Sequence, residues 1–257
     1  MATQQLKHNP FKAAIRQPGP KQLKGLWVAM GSPTSAEIAA GIGYDWILID
    51  GEHGPNDLTT IEAQLRACQG YDTPAIVRPA AADPVRIKQV LDIGAQSLLI
   101  PMVNNREQAE LMVKAVNYAP KGIRGVGGSI ARSGRWGMIP NYMRDAASEI
   151  CLIVQVESRE ALGNIEEIAS VEGIDGVFIG PADLSASLGH PDDAAAISDE
   201  VHHAFDVIKA HGKAVGSLAF DAPTAKQYFA WGADFVAVAG DTDVYVHGLD
   251  AALAQYK

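Results

Sequence analysis

The sequence predicts an α/β fold, a single (β/α)8 TIM barrel. Eight short apolar runs recur along the chain, and segments with helical periodicity separate them. Most of these runs are unbroken and do not alternate with polar residues, which is typical of parallel strands buried on both faces. The chain has 257 residues, a length at which eight β/α units commonly form one barrel. A doubly wound open sheet is the alternative, but it rarely needs eight units.

The predicted strands follow one another at roughly regular intervals. They are Leu26–Met30, Trp46–Asp50, Ala75–Arg78, Leu98–Pro101, Leu152–Glu157, Gly176–Gly180, Ala214–Leu218 and Phe235–Ala239. Helices are predicted between them, most ending at a glycine, as helices commonly do. Their ranges are 34–43, 56–70, 83–94, 105–118, 159–171, 199–212 and 222–232.

The regular spacing is interrupted once, between the fourth helix and the fifth strand. This insertion, residues 118–141, is glycine-rich and carries Arg124, Arg132, Arg135 and Trp136. Long segments of this kind serve as lids, as binding elements or as subunit contacts, and all three remain open here. No linker or shift in composition divides the chain. We therefore expect one domain over residues 1–257, with residues 1–22 as an N-terminal extension.

Composition argues against several classes of protein. The net charge is −9 and there is no block of Lys or Arg, which argues against nucleic-acid binding. We interpret the two cysteines, Cys68 and Cys151, as reduced thiols. No apolar run suits a signal peptide or a membrane span. We therefore expect a cytoplasmic protein that binds neither membrane nor nucleic acid.

A nucleotide cofactor is not expected either. The one glycine-rich stretch, residues 124–129, is followed by Ile130 where a dinucleotide-binding pattern requires glycine, and it follows a helix instead of a strand. The segment after the eighth strand, residues 240–243, is acidic, which argues against the phosphate site common in barrel enzymes.

Two acids stand out because each follows a strongly apolar run. Glu157 ends the fifth predicted strand and Asp183 follows the sixth, about one β/α repeat later. Successive parallel strands deliver such residues to the same end of a barrel. Carboxylate oxygens are the ligands that hard divalent cations prefer. A metal site and a pair of surface acids both remain open from this pattern alone.

Active sites of barrel enzymes lie at the carboxyl ends of the strands. The polar or aromatic residues at those ends are Trp27, Asp50, His53, Arg78, Gln155 and Glu157, with Ala182 and Asp183 after the sixth strand. His53 suits a general base, although a loop histidine bonded to backbone is the alternative. Arg78 either binds an anionic oxygen or forms a structural ion pair. Trp27 is either core or a pocket wall.

No lysine is predicted at this end of the barrel. Lys24 and Lys213 precede strands one and seven, at the opposite end, and the remaining candidates fall on helices. A Schiff-base mechanism needs an amine in the barrel mouth. Metal-dependent chemistry is therefore favoured for any reaction at a carbonyl. After Gly180-Pro181, the amides of Ala182 and Asp183 begin a helical turn and can point at a substrate carboxylate.

Taken in order, these motifs resemble the HpcH/HpaI aldolase family of class II pyruvate aldolases. The resemblance runs from about residue 24 to the C-terminus. It is carried by Gly25-Leu-Trp27, Asp50-Gly-Glu-His53-Gly, Val77-Arg-Pro79, Leu91-Asp-Ile-Gly-Ala95, Arg124-Gly-Val-Gly127, Gln155-Val-Glu157 and Gly180-Pro-Ala-Asp-Leu-Ser185.

The resemblance implies a role for each matched residue. Magnesium, manganese or cobalt would bind Glu157 and Asp183, and Gln155 and the Ala182 region would contact the substrate. Trp27 and Asp50 are further candidate substrate-binding residues. Arg78 would stabilise the enolate, and His53 would act as base with its basicity raised by Asp92. Asp92 ends a helix before strand four, so we expect it at the far end of the barrel, where only a neighbouring subunit could present it to His53.

The predicted function is metal-dependent and reversible cleavage of a 4-hydroxy-2-oxo acid, of the 2-keto-3-deoxy type, into pyruvate and an aldehyde. The alternatives are a lyase acting on an acyl-CoA such as malyl-CoA or citramalyl-CoA, and a non-catalytic barrel that binds a 2-oxo acid. The resemblance also implies a homohexamer. The arginines and Trp136 of the insertion, and the apolar tail 244–256, are independent reasons to expect a homo-oligomer.

Overall fold

Eight parallel strands close into a barrel in sequence order in the computed structural model, which describes residues 3–191 and 193–257. The strands are β1 Leu23–Val28, β2 Trp46–Asp50, β3 Ala75–Arg78, β4 Ser97–Ile100, β5 Cys151–Val156, β6 Gly176–Ile179, β7 Ala214–Leu218 and β8 Phe235–Gly240. Each strand pairs with the next, and β8 pairs with β1. The predicted (β/α)8 barrel is thereby confirmed.

The predicted strand bounds are those of the structure for β2, β3 and β7 and shift by a few residues elsewhere. The largest shift is in β1, which begins at Leu23 instead of Leu26. Leu23 and Lys24 pair with Phe235 and Val236 of β8 through the backbone. Such pairing requires no apolar side chain, so the charge of Lys24 concealed the start of the strand.

Helices surround the barrel and are mostly capped by side chains. They are α1 Pro10–Arg16, α2 Pro33–Ile42, α3 Leu58–Ala67, α4 Pro84–Asp92, α5 Arg106–Val116, α6 Tyr142–Glu149, α7 Arg159–Gly163, α8 Ile165–Ala169, α9 Pro181–Leu188, α10 Ser198–Ala210, α11 Ala222–Ala230 and α12 Asp241–Ala254. Asp83 illustrates the capping: it accepts a hydrogen bond from the backbone N–H of Arg86, and Pro84 follows it at the first helical position.

None of the helices in the described ranges is long and apolar enough to cross a membrane.

Aromatic rings fill the interior of the barrel. Trp46 and Phe235 meet edge to face with their ring centroids 5.7 Å apart, and Phe178 lies above Phe235. The space for these rings comes from glycine: a Cβ at Gly25 would overlap the Trp46 ring. The barrel is therefore a packed core and not a pore.

The N-terminal stretch closes the amino end of the barrel. Phe11 of α1 is fully buried, and its ring centroid lies 5.4 Å from that of Phe235. Asn9 caps α1 and donates a hydrogen bond to the hydroxyl of Ser97 on β4. The predicted extension thus contains a helix that packs against the barrel core.

The insertion lies at this same amino end. Arg124 donates to the carboxylate of Asp92 at the end of α4, and Arg132 donates to the carbonyl of Ile93. These bonds hold residues 124–132 away from the carboxyl ends of the strands. The insertion is therefore not a lid over the mouth of its own barrel, while the roles of binding element and subunit contact stay open.

Candidate active site

The predicted site residues divide between the two ends of the barrel. Asp50 and Arg78 are the last residues of β2 and β3 and are paired in register. Gln155 lies on β5, Glu157 directly follows it, and Asp183 lies in the first turn of α9. All of these lie at the carboxyl end, and β/α connectivity alone explains their proximity.

Asp50, Arg78 and Trp27 form a buried polar cluster. The guanidinium of Arg78 donates from Nε to Asp50 Oδ1 (2.8 Å) and from Nη2 to Oδ2 (2.6 Å). The indole Nε1 of Trp27 also donates to Asp50 Oδ2 (3.0 Å), and the guanidinium carbon lies 4.7 Å from the centroid of the Trp27 ring. Trp27 is thus a core residue, the first of its two interpretations, and it also supports Arg78.

The charge state of Asp50 follows from this cluster. Burial disfavours its carboxylate, but the Arg78 guanidinium and the N–H groups of Trp27 and Glu52 outweigh burial and lower the pKa of Asp50 below its ordinary value. Asp50 is therefore ionised and forms a bidentate pair with Arg78, with the geometry that orients a guanidinium most strongly.

Glu52 is a site residue that the sequence did not single out. Its Oε2 lies 2.7 Å from Nη1 of Arg78 and 3.8 Å from Nε2 of His53. Burial raises the pKa of Glu52, as do the charges of Asp50 and Asp183, although Arg78 and His53 oppose the shift. The sequence does contain a signal for Glu52: it lies in the Asp-Gly-Glu-His motif, between an acid at the end of a strand and a histidine.

Arg78 retains donors for a substrate. Its contacts with Asp50 and Glu52 use one N–H each on Nε, Nη1 and Nη2. A guanidinium has five N–H groups, so two remain. The two interpretations of Arg78 are therefore compatible: it is half of an ion pair and can still bind an anionic oxygen. His53, by contrast, is mostly exposed, at 68% of its side chain, and is accessible from the mouth.

Among the acids of the site, Glu157 has the pKa that is shifted furthest from its ordinary value. It is 3% exposed, and its carboxylate accepts hydrogen bonds from the backbone N–H of Met102 (2.8 Å) and from Nε2 of Gln155 (3.0 Å). Burial raises the pKa of Glu157 to about 7; the Met102 N–H opposes this, and the charges of Glu52 and Asp183 add to it. Gly180 lies so close that a Cβ there would overlap the Glu157 carboxylate.

These residues fit a divalent cation. Glu157 and Asp183 supply carboxylate oxygens, and Asp183 is exposed at the mouth. The Oε1 of Gln155 is buried and has no hydrogen-bond partner among the described residues, as a further oxygen donor would. Residues 3–191 and 193–257 contain no cluster of three or more His, Cys, Asp or Glu suited to a metal. Water and substrate would therefore complete the coordination.

Asp92 is not part of this site within one chain. It lies at the end of α4, where its Oδ1 accepts a hydrogen bond from Nη2 of Arg124 (2.9 Å). α4 runs back to the amino end of the barrel, so Asp92 cannot act on the His53 of its own chain, as its position in the sequence indicated. A role for Asp92 at the His53 of another subunit stays a prediction.

The acidic segment after β8 has a structural role. Asp241 accepts hydrogen bonds from the backbone N–H of Ala29 (2.9 Å) and Met30 (3.2 Å) and from the hydroxyl of Ser35 (3.0 Å). These bonds fasten the start of α12 to the loop after β1. At the opposite end, Lys213 donates to the carbonyls of Val171 and Ile174, away from the mouth.

Comparison with known proteins agrees with this geometry. The family model described as "HpcH/HpaI aldolase/citrate lyase" matches residues 23–248. The chain belongs to this family. The chain is a carbon–carbon lyase like its relatives named as aldolases, and the aldolases of this family are in general dependent on a divalent metal. The family resemblance that the motifs carry is thereby confirmed.

Individual relatives are similar over nearly their full length. A protein of Salmonella paratyphi B named 2-keto-3-deoxy-L-rhamnonate aldolase is 52% identical over 97% of this chain and 93% of its own. A solved HpcH/HpaI aldolase/citrate lyase family protein from Burkholderia cenocepacia J2315 has a TM-score of 0.92 at 35% identity, covering 96% of this chain and 99% of its own. The structure of the citrate synthase SbnG has a TM-score of 0.82 at 31% identity, covering 92% and 93%.

The ion pair of Asp50 predicts a dependence of stability on pH. Because the pKa of Asp50 is lower in the folded chain, its contribution to stability is complete above the unfolded value, about 3.9, and is lost as pH falls through the folded value. Asp50→Asn should cost about 3 kcal/mol at pH 7, the low end for breaking a buried ion pair, because Arg78 loses its bidentate partner but keeps Glu52.

Urea denaturation of wild type and Asp50→Asn from pH 7 down to pH 3 measures this contribution. The difference in unfolding free energy should stay constant above pH 5 and shrink below pH 4. Asp72→Asn, which changes an exposed acid, is the control: its unfolding free energy should stay close to that of wild type throughout the pH range. A difference between wild type and Asp50→Asn that grows on acidification would show that Asp50 is not held ionised by Arg78.

Proposed function

We propose that this chain is a metal-dependent aldolase that reversibly cleaves a 2-keto-3-deoxy sugar acid, a 4-hydroxy-2-oxo acid, into pyruvate and an aldehyde. The observation that carries the proposal is the set of oxygen donors of Glu157, Gln155 and Asp183 at the rim that also holds Arg78 and His53. The relative named 2-keto-3-deoxy-L-rhamnonate aldolase, 52% identical, supports this substrate class.

In this proposal Glu157 and Asp183 hold magnesium, manganese or cobalt, and Gln155 and the backbone at Ala182 contact the substrate. When bound, the cation polarises the 2-oxo group and offsets charge that develops on it. Neither carboxylate is engaged by a protein cation within ion-pair distance among the described residues. Both therefore have lone pairs free for coordination.

Arg78 binds the oxygen that becomes the enolate. Asp50 fixes the plane of its guanidinium, and the Trp27 ring supports it from one side. The two remaining N–H groups then lie in place before the reaction, so no reorganisation is needed as charge develops. Asp50 and Trp27 thus contribute to substrate binding by positioning Arg78.

His53 moves the proton. In cleavage, an imidazole nitrogen accepts the proton of the C4 hydroxyl, the C3–C4 bond breaks, and the aldehyde leaves. The imidazolium of His53 then returns that proton to C3 of the enolate, which becomes the methyl group of pyruvate. Glu52, 3.8 Å from Nε2 of His53, stabilises the imidazolium while it carries that proton.

The C-terminal helix supports a homo-oligomer, the hexamer that the family resemblance implies. In α12 only Asp241 is buried. The apolar side chains of Val246, Leu249 and Leu253 follow one another at helical spacing on one face of α12, and each is exposed by more than half. An exposed apolar face of this kind is typical of protein interfaces. We propose that the enzyme is soluble and cytoplasmic. Its assembly would also bring Asp92 of one subunit close to His53 of the next.

Turnover tests the proposed reaction. Wild type with magnesium or manganese should release pyruvate from 2-keto-3-deoxy-L-rhamnonate, measured by coupling to lactate dehydrogenase. Glu157→Gln and Asp183→Asn should lose activity at least a hundredfold because each removes a carboxylate ligand. Glu110→Gln, on the exposed face of α5, is the matched control. Full activity of either variant, or of EDTA-treated enzyme, would refute metal dependence through this pair.

Arg78 should act on the transition state. Arg78→Ala should lower kcat/KM by a factor corresponding to about 3–4 kcal/mol, the cost of losing a preorganised oxyanion donor. Arg78→Lys should recover little, because lysine lacks the planar fork that pairs with Asp50. Arg86→Ala, on the surface of α4, is the control. Normal kcat/KM in Arg78→Lys would reduce Arg78 to a structural ion-pair partner.

Light scattering after size exclusion tests the assembly. Wild type should elute as an active species of six times the chain mass of 27.2 kDa. Leu249→Asp with Leu253→Asp should lower that mass, because the charges would have to be buried in the interface. Leu111→Asp, on α5, should leave it unchanged. An active wild-type monomer would rule out the oligomer.

A further inference from the structure

A second cavity lies at the amino end of the barrel, opposite the candidate active site. It has a volume of about 90 Å³, lies between the N-terminal segment 4–7, the residues that follow α4 and the insertion, and is partly open to solvent. A groove of about 260 Å³ adjoins it. Lys7, Gln69, Gln96, Arg132 and Arg135 line both spaces.

The walls of this cavity are fixed by hydrogen bonds between distant parts of the chain. The backbone N–H of Gln4 donates to the carbonyl of Met138 (2.9 Å). The side chain of Gln96 donates to the carbonyl of Lys7 (2.8 Å). The cavity is therefore a built feature of the fold.

The charged residues that line the cavity are all positive. Arg132, 7% exposed, donates only to neutral groups, the carbonyl of Ile93 (2.7 Å) and the amide oxygen of Gln69 (3.1 Å). Among the described residues, none forms an ion pair with Lys7, Arg132 or Arg135. No Asp or Glu of that part of the chain lines the cavity, and the groove has only Asp72.

A buried cation without an ion-pair partner is costly, and Arg132 is such a cation in a chain of net charge −9, with the half-buried Arg135 and the exposed Lys7 beside it. Burial lowers the pKa of Arg132, and the charges of Arg135 and Arg66 lower it further, while the carboxylate of Glu62 opposes the shift. The hydroxyl of Ser133, also in the cavity wall, is buried without a hydrogen-bond partner among the described residues. Guanidinium and hydroxyl donors together are the groups that bind an oxyanion.

We propose that this cavity binds a small oxyanion, a carboxylate or phosphate group, between Arg132, Arg135 and Lys7. A cavity of about 10–15 Å³ by this measure holds one water, so the observed volume accommodates an anion of several heavy atoms. The adjoining groove can receive whatever the anionic group is attached to. Bound there, the anion would join the N-terminal segment to the insertion and stabilise both.

Calorimetric titration of the full-length enzyme with inorganic phosphate and with acetate, at constant ionic strength in chloride, tests the site. We expect saturable binding of at least one of them. Binding of phosphate alone identifies a phosphate site, and binding of acetate alone a carboxylate site. Arg135→Gln and Lys7→Gln should each weaken that binding at least tenfold.

Matched controls are Arg86→Gln and Lys121→Gln, which remove one exposed cation each elsewhere on the surface and should bind as wild type does. Lys7 is exposed, so Lys7→Gln keeps the test decisive should Arg135→Gln fail to fold. Absence of saturable binding of both anions would overturn the proposal. So would binding that Lys7→Gln and Arg135→Gln leave as strong as the controls do.

Discussion

Closure of eight parallel strands is the constraint on which the rest of the structure depends. It places the carboxyl end of every strand at one rim, so residues far apart in sequence become neighbours there. Asp50 and Arg78 meet because β2 and β3 are paired in register, and Glu157 faces Gly180 because β5 and β6 are adjacent. Below this rim, packed aromatic rings fill the barrel as far as Phe11 at its amino end.

The rim is dominated by negative charge. Arg78 neutralises Asp50, but burial and the charge of Asp183 raise the pKa of Glu52, and burial with the charges of Glu52 and Asp183 raises the pKa of Glu157 to about 7. A divalent cation would offset this excess and favour the ionised form of each acid. The same rim keeps Arg78 oriented while two of its N–H groups stay available, which suits the stabilisation of an enolate.

The fold and most of the rim could be predicted from the sequence because both depend on local patterns. Unbroken apolar runs marked the strands, and acids directly after them marked Glu157 and Asp183. Glu52 was missed because its importance depends on Arg78, a contact made across two strands. The location of the insertion could not be predicted either, since it is fixed by bonds from Arg124 and Arg132 to the end of α4. Packing of α1 into the barrel likewise depends on contacts distant in sequence.

With a divalent metal, these residues should generate a pyruvate enolate. Exchange of the pyruvate methyl protons with deuterated solvent, followed by proton NMR, tests it most directly, because it requires no knowledge of the aldehyde. Wild type with magnesium should catalyse exchange, and His53→Ala and EDTA-treated enzyme should not. Exchange at the wild-type rate after removal of the metal, or in His53→Ala, would show that the metal or His53, respectively, is not needed to form the enolate.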